Sequence, residues 1–124
     1  MKPAVIVECF SLHLRLCEQT RSVIRLLPIS ARAEAERLRL AVSCVLVAGE
    51  RALGARDESE ALRSWLECEL SERQIRVATY RALRKRAITC ADHEAVFAVA
   101  NRASRARRQL LVRLRRRLRR PWVS

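Results

Sequence analysis

Apolar residues recur every three or four positions along most of this chain, the spacing that places side chains on one face of an α-helix. The first segment has this pattern from Phe10 through Leu14 and Cys17 to Leu27. A proline disfavours helix in the residue before it, so Pro28 ends the segment. We therefore predict the first helix over residues 4–27.

The second predicted helix, over 30–53, has an unusually wide apolar face. Ser30 is its predicted N-cap, and Gly54 is its predicted C-terminal stop. One stripe of small and branched residues contains Leu38, Ala41, Val45, Ala48 and Ala52. A second stripe widens the face with Leu40, Cys44 and Val47. Such a face is expected of a helix that contacts more than one neighbour.

The third predicted helix covers 58–86 and opens on the sequence "DESE". Asp57 can cap it, with Glu60 three residues on as the capping-box partner. Early acidic residues also suit the positive end of the helix dipole, and the basic end "RALRKR" suits the negative end. The apolar residues predicted to be buried include Leu62, Trp65, Leu66, Leu70, Ile75, Ala78, Tyr80, Ala82 and Leu83.

The fourth predicted helix covers 90–120, with Thr89 and Asp92 as its capping box. Pro121 ends it. One apolar face continues to the end of the segment through Ala103, Ala106, Leu110, Leu114 and Leu118. The basic tail-like sequence is therefore predicted to be helix with one packed side.

Four helices joined by short loops predict an all-α, up-down antiparallel four-helix bundle. The chain has only two glycines and three prolines, which disfavours a turn-rich β fold. We expect one domain over 1–120 and a short tail over 121–124. The second apolar stripes exceed what a lone bundle core needs, so we also expect a homo-oligomer.

The charge of the chain indicates a polyanion as its partner. The chain has 26 Lys and Arg against 13 Asp and Glu, a net charge of +13. Ten of the nineteen residues over 102–120 are arginine, with no acid among them. For a small domain this basic, nucleic acid is the default partner. The arginines that fall off the apolar face of the fourth helix are available for phosphates: Arg102, Arg105, Arg108, Arg113, Arg116 and Arg120.

The predicted nucleic-acid contacts lie at the end of the third helix and along the fourth. They are Arg81, Arg84, Lys85, Arg86, Arg102, Arg105, Arg108, Arg113, Arg116, Arg117 and Arg120. Two other interpretations of these residues stay open. The run is either a solvated charged face or a basic amphipathic anchor at a membrane surface. The lack of Trp or Phe between Asn101 and Pro121 weakens the membrane interpretation.

The sequence contains no pattern that indicates catalysis or a metal site. Asp92, His93 and Glu94 are adjacent on a helix and therefore point in different directions. His13 and His93 lie at no zinc-type spacing from a cysteine pair. His13 is interpreted as a structural histidine. We predict a protein that is not an enzyme and has no cofactor and no metal.

The five cysteines show no C-x-x-C spacing, and their number is odd. They are expected to be mostly buried free thiols in a reducing cytoplasm. No apolar run approaches the length of a membrane span, and the first residues lack the apolar core of a signal peptide. The sequence thus predicts a cytoplasmic protein with no membrane partner.

An ordered set of motifs covers about Leu26 to Leu118. It reads "LLPISARAEAERLRLAVSCVLVAGERAL", then "RDESEALRSWLECELSERQIRVATYRAL", then "AITCADHEAVFAV". In this order the chain resembles the small four-helix-bundle proteins encoded in intervening sequences of bacterial 23S ribosomal RNA genes. It also resembles their relatives, the accessory variability (Avd-like) proteins of diversity-generating retroelements. The Ala-Gly-Glu order at 48–50 departs from the family pattern, and the loop after it is longer than in the intervening-sequence proteins.

The resemblance implies a ring-like homopentamer with a basic surface. In the retroelement branch it implies binding to a reverse transcriptase and its structured RNA, without catalysis. We therefore expect a non-enzymatic accessory protein that binds RNA, with DNA as a second ligand. The alternatives are an intervening-sequence-type bundle of unknown role and a protein-interaction adaptor that does not touch nucleic acid.

Overall fold

The computed structural model of the protein describes residues 3–119 and contains four long helices. They are α1 (Pro3–Leu26), α2 (Arg32–Leu53), α3 (Glu58–Arg84) and α4 (Cys90–Leu118). Each helix packs against the two that flank it, so the four close into a bundle in the order α1, α2, α3, α4. No strand occurs in the described range. The all-α four-helix architecture is therefore confirmed, whereas Arg120 and the tail lie outside the described residues.

The connection between α1 and α2 differs from the prediction. A short 3-10 turn over Ile29–Ala31 precedes α2, and the N–H of Ala31 donates to the carbonyl of Pro28 at 2.9 Å. The N-cap of α2 is Ala31, and no side chain caps the helix. Ser30 as N-cap is therefore wrong, because Ser30 lies inside the turn that leads into the helix.

Asp57 as the N-cap of α3 and the Thr89–Asp92 capping box of α4 are confirmed. Glu60 as a capping-box partner is wrong, because its carboxylate accepts from the N–H of Arg56 and not from that of Asp57. Asp57 accepts a hydrogen bond from the N–H of Glu60 at 2.8 Å, and the Glu60 carboxylate accepts from the N–H of Arg56 at 3.2 Å. Thr89 and Asp92 bond each other's backbone N–H reciprocally, at 3.1 and 3.0 Å. These bonds satisfy N–H groups that have no partner inside a helix.

α3 ends in a Schellman motif. The N–H of Ala87 donates to the carbonyl of Ala82 and the N–H of Arg86 to that of Leu83, both at 2.9 Å. Arg86 has a φ of 58°, in the left-handed region that glycine usually occupies. The motif turns the chain sharply into α4, which sets α3 and α4 side by side.

The core consists of two apolar clusters. The first contains Leu16, Val23, Leu38, Val45, Ile75 and Val96, and the second contains Cys9, Ala48, Trp65, Cys68, Leu110 and Leu114. The residues that separate them along the helices are polar: His13 on α1, Glu72 on α3 and Arg107 on α4. All three are buried. We call these three residues the polar layer.

Three apolar residues predicted to be packed are exposed instead. Leu70 is 59% exposed, Tyr80 is 50% exposed and Leu118 is 46% exposed. On α3 the buried stripe runs through Trp65, Cys68 and other residues at spacings of three and four, and Leu70 and Tyr80 fall outside it. An apolar residue type alone does not tell which side of a long helix faces the core.

The cysteines are only partly as expected. Cys9, Cys17 and Cys68 are buried free thiols, whereas Cys44 and Cys90 are exposed. Burial raises the pKa of Cys9 and Cys68 to about 12. These two thiols therefore stay protonated at neutral pH and act as small apolar groups.

α1 approaches α2 closely at Gly49. Gly49 is buried, and a Cβ added there would lie 2.8 Å from Cε1 and 2.9 Å from Cδ1 of Phe10. Glycine is a poor helix former. Its place inside α2, four residues before the end of the helix, is therefore explained by the space that the Phe10 ring occupies.

We predict that Gly49→Ala destabilises the protein by about 1 kcal/mol, since overpacking costs about 1–3 kcal/mol and the better helix propensity of alanine returns about 1. In a Phe10→Leu background the same change should be neutral or stabilising, because the ring is gone. Urea denaturation of the four variants measures this. Gly54→Ala is the control, since its added Cβ meets nothing closer than 3.6 Å. Equal effects of Gly49→Ala in both backgrounds would contradict the explanation.

Candidate nucleic-acid interface

A groove of about 570 Å³ runs between α3 and α4 on the outside of the bundle. Its lining is Glu69, Glu72, Arg73, Arg76, Asn101, Ser104, Arg105, Arg107 and Arg108. A second depression of about 270 Å³ shares part of this lining and extends it to Leu111 and Arg115. We call the two together the α3–α4 groove.

The α3–α4 groove is strongly basic. Six arginines line it against two glutamates. A guanidinium presents a planar fork of N–H donors that matches the oxygens of a phosphate. Because α3 and α4 run side by side, arginines from both helices face the same strip of surface. The groove can therefore bind a phosphate chain from two sides.

Two residues of the polar layer, Glu72 and Arg107, line the groove. Glu72 accepts from Nη1 of Arg107 through Oε1 and from Nε of Arg76 through Oε2, both at 2.9 Å. The side chains of Arg107 and Glu72 are only 3% and 4% exposed. Removing two charges from water is costly unless each is paired and hydrogen-bonded. The Glu72 carboxylate thus holds the Arg107 guanidinium inside the bundle and the Arg76 guanidinium at the groove.

His13 completes the polar layer from α1. Its Nδ1 lies 2.7 Å from the carbonyl of Cys9, and its Nε2 lies 3.1 Å from Nη1 of Arg107. The neutral tautomer with the proton on Nδ1 satisfies both contacts: it donates to the carbonyl and accepts from the guanidinium. Burial, assisted by the charge of Arg107, lowers the pKa of His13 to about 4. His13 is therefore neutral at physiological pH, as its structural interpretation requires.

An aromatic cluster of Tyr80, His93 and Phe97 adjoins the groove through Arg76, which contacts Phe97 and lines the groove. The His93 ring stacks on Phe97 with centroids 4.1 Å apart, and Tyr80 meets His93 edge-on at 6.3 Å. The Arg76 guanidinium lies 5.1 Å from the centre of the Phe97 ring and donates to Oδ1 of Asn101 at 3.0 Å. Arg76 therefore joins the aromatic cluster to the basic lining.

The described arginines and lysine predicted to contact nucleic acid are all exposed, but they do not form one surface. Arg105 and Arg108 line the groove. Two others are engaged in ion pairs, Lys85 with Glu34 at 2.8 Å and Arg117 with Glu58 at 3.0 Å. The remainder lie on exposed positions of α4 or at the C-terminal end of α3: Arg81, Arg84, Arg86, Arg102, Arg113 and Arg116. Arg120 lies outside the described residues.

The ammonium of Lys85 is paired with Glu34 and half exposed. Glu34 is buried, and the hydrogen bond from Lys85 lowers the pKa of the Glu34 carboxyl. Lys85 thus supplies the countercharge of a buried acid and fastens the end of α3 to α2.

The prediction missed four arginines that line the groove: Arg73, Arg76, Arg107 and Arg115. A signal for Arg107 was present. Arg107 continues the spacing of three and four that begins at Ala100 and Ala103 and goes on to Leu110 and Leu114. A charge that occupies a core position at this spacing predicts a buried partner. Glu72 shows the same signal, between Cys68 and Ile75 on α3.

A second, apolar surface lies on the other side of α3. Leu40 and Val47 of α2 and Leu70 and Val77 of α3 are large exposed apolar residues. A shallow depression of about 390 Å³ between the two helices is lined by Ser43, Cys44, Val47, Arg51, Glu67, Leu70 and Ser71. We call this surface the α2–α3 face. It contains the second apolar stripe predicted for α2.

Within residues 3–119 no group of three or more His, Cys, Asp or Glu side chains is placed to hold a metal ion. None of the four helices, over the same range, combines the length and apolarity needed to cross a bilayer. Comparison of the chain with protein-family models, curated proteins and solved structures gives no significant match.

We predict that His13 makes stability fall as the pH falls from about 6.5 to about 4. In this window the unfolded chain takes up a proton at His13 while the folded chain does not, so unfolding is favoured, by up to about 3 kcal/mol at the low end. Urea denaturation across this window, compared between wild type and His13→Gln, measures the contribution. The difference between the two stabilities should shrink as the pH falls. Parallel curves would contradict a neutral, buried His13.

Proposed function

We propose that this chain is a non-enzymatic accessory protein that binds nucleic acid, with RNA as its principal ligand. The observation that carries the proposal is the α3–α4 groove, where six arginines from two helices line one strip of a protein whose net charge is +13. Contacts of this kind with phosphates provide affinity and orientation rather than sequence specificity. Specificity would come from the shape of the RNA or from a protein partner.

The polar groups of the groove support binding rather than catalysis. Both carboxylate oxygens of Glu72 accept from arginines, and the free nitrogen of His13 accepts from Arg107. A general base needs an unengaged lone pair within reach of a substrate proton. The one acceptor nitrogen of neutral His13 is taken by Arg107, and Glu72 is only 3% exposed beneath the arginines that it holds, so both groups serve to position guanidinium groups.

The exposed arginines outside the groove extend the basic surface along α4. Arg102, Arg113 and Arg116 carry no ion pair within the described residues. They add attraction for a polyanion that lies along the helix. A long structured RNA would use both the groove and this outer surface.

We further propose that the protein assembles as a homo-oligomer through the α2–α3 face. Exposed apolar residues from two adjacent helices form a continuous surface there, which is typical of a protein interface. The resemblance implies a ring of five and, in its retroelement branch, a reverse transcriptase as partner. The same apolar face is what favours the alternative, an adaptor whose partner is only protein.

Phosphate binding in the groove is tested by replacing one pair of arginines that lines it and one pair on α2 that does not. Replacing Arg105 and Arg108 with glutamine should weaken RNA binding and reduce the slope of log affinity against log salt by roughly 1.5, since each lost phosphate contact removes about 0.7–0.9. Fluorescence anisotropy with a structured RNA over a series of salt concentrations measures both effects.

The matched control is Arg37→Gln with Arg39→Gln. Both residues are exposed on α2, which lies diagonally across the bundle from α4. The double change removes the same charge as the groove pair but should leave the salt slope almost unchanged. A wild-type affinity that is independent of salt would contradict nucleic-acid binding through phosphates.

The assembly prediction concerns Leu70. We expect wild type to elute as a discrete oligomer in size exclusion coupled to light scattering, and Leu70→Lys to shift it to monomer, because the change places a charge in the apolar interface. Leu26→Lys is the control: Leu26 is 58% exposed, close to the 59% of Leu70, but lies at the end of α1. A monomeric wild type at all concentrations would contradict the assembly.

A further inference from the structure

The basic lining of the α3–α4 groove leads directly into the aromatic cluster. Asn101 and Phe97 both contact Arg76, and Phe97 stacks on His93, which meets Tyr80. On α3, positions 73, 76, 80 and 84 follow the spacing of one helical face. Tyr80 therefore lies on the same stripe as the basic residues, with Arg76 one turn before it and Arg84 one turn after it.

Tyr80 is the exposed member of the cluster. It is 50% exposed, whereas His93 and Phe97 are partly buried. A tyrosine that served only to fill the core would be covered. Its edge-on contact with His93 holds the ring against α4 while half of its surface faces solvent. This face of α3 thus contains an aromatic ring that is held in place by His93 and has Arg76 and Arg84 on its two sides.

Arg76 is held ready for a ligand. Its Nε is bound to Glu72, its Nη2 is bound to Asn101 and its plane rests near Phe97. Within residues 3–119 these bonds leave the two N–H groups of Nη1 free. A guanidinium already fixed in position loses little conformational freedom when it binds a phosphate.

We propose that the α3–α4 groove takes a single-stranded segment of RNA, with its phosphates on Arg76, Arg105 and Arg108 and one unpaired base stacked on Tyr80. This inference rests on the proposed function and names the part of the RNA that the groove accepts. Alternating cations and aromatic rings are the means by which proteins hold unpaired strands, because every base has a face that stacks. The internal bases of a duplex already stack on each other, so only its two end pairs have a face that Tyr80 could meet.

The test compares a single-stranded RNA oligomer with a blunt duplex of the same length, by fluorescence anisotropy against the full chain. Wild type should bind the single strand more tightly. Tyr80→Leu should weaken single-strand binding by about tenfold and leave duplex binding unchanged. Tyr80→Phe keeps the ring and should bind within about twofold of wild type, because stacking needs the aromatic face and not the hydroxyl.

Val7→Ala is the matched control, since Val7 is an exposed apolar residue of α1 that does not line the groove. It should not change either affinity. If Tyr80→Leu weakens both RNAs equally, or neither, the single-strand site is wrong while nucleic-acid binding stands. If wild type binds neither RNA, the proposed function fails and this inference fails with it. Equal loss in Tyr80→Phe and Tyr80→Leu would also overturn the stacking.

Discussion

The bundle is organised around the charge that it buries at Arg107. A guanidinium in a helical core costs several kcal/mol unless its partners are buried with it. Arg107 meets Glu72 from α3 and His13 from α1, so three helices must reach the same level of the bundle together. This requirement favours a single register of the helices, because a shift by one turn would leave an unpaired ion against leucine or tryptophan.

The pairing of Glu72 with Arg107 also determines which residues line the α3–α4 groove. Glu72 has a second oxygen, which holds Arg76 at the groove. The rotation of α3 that turns Glu72 inward therefore places Arg73 and Arg76 along the edge shared with α4, and it turns Leu70 toward α2. The basic groove and the apolar α2–α3 face are two sides of one helix. An assembly through the apolar side would repeat the groove once per subunit and so multiply weak phosphate contacts.

The elements of this fold could be predicted from sequence because their signals are local. Pro28, the Asp57 cap and the Thr89–Asp92 box act within a few residues, and the apolar period spans each helix. The side of the helix on which a single residue lies was harder to predict, as Leu70 and Tyr80 show, because apolar residue types occur on both faces of a helix. The basic character of α4 could also be predicted from the sequence. The groove could not be predicted, since Arg73 and Arg76 line it only because α3 packs against α4.

The polar layer also constrains the length of the chain. Glu72, Arg76 and Tyr80 lie on one helix, and each added residue rotates all that follows by about 100°. An insertion or deletion of one residue between Glu72 and Tyr80 would keep the buried ion pair but swing the aromatic ring away from α4. The spacing of these positions is therefore subject to a stricter constraint than the identity of most surface residues. Between Glu72 and Tyr80, substitutions should therefore be tolerated far more readily than insertions or deletions.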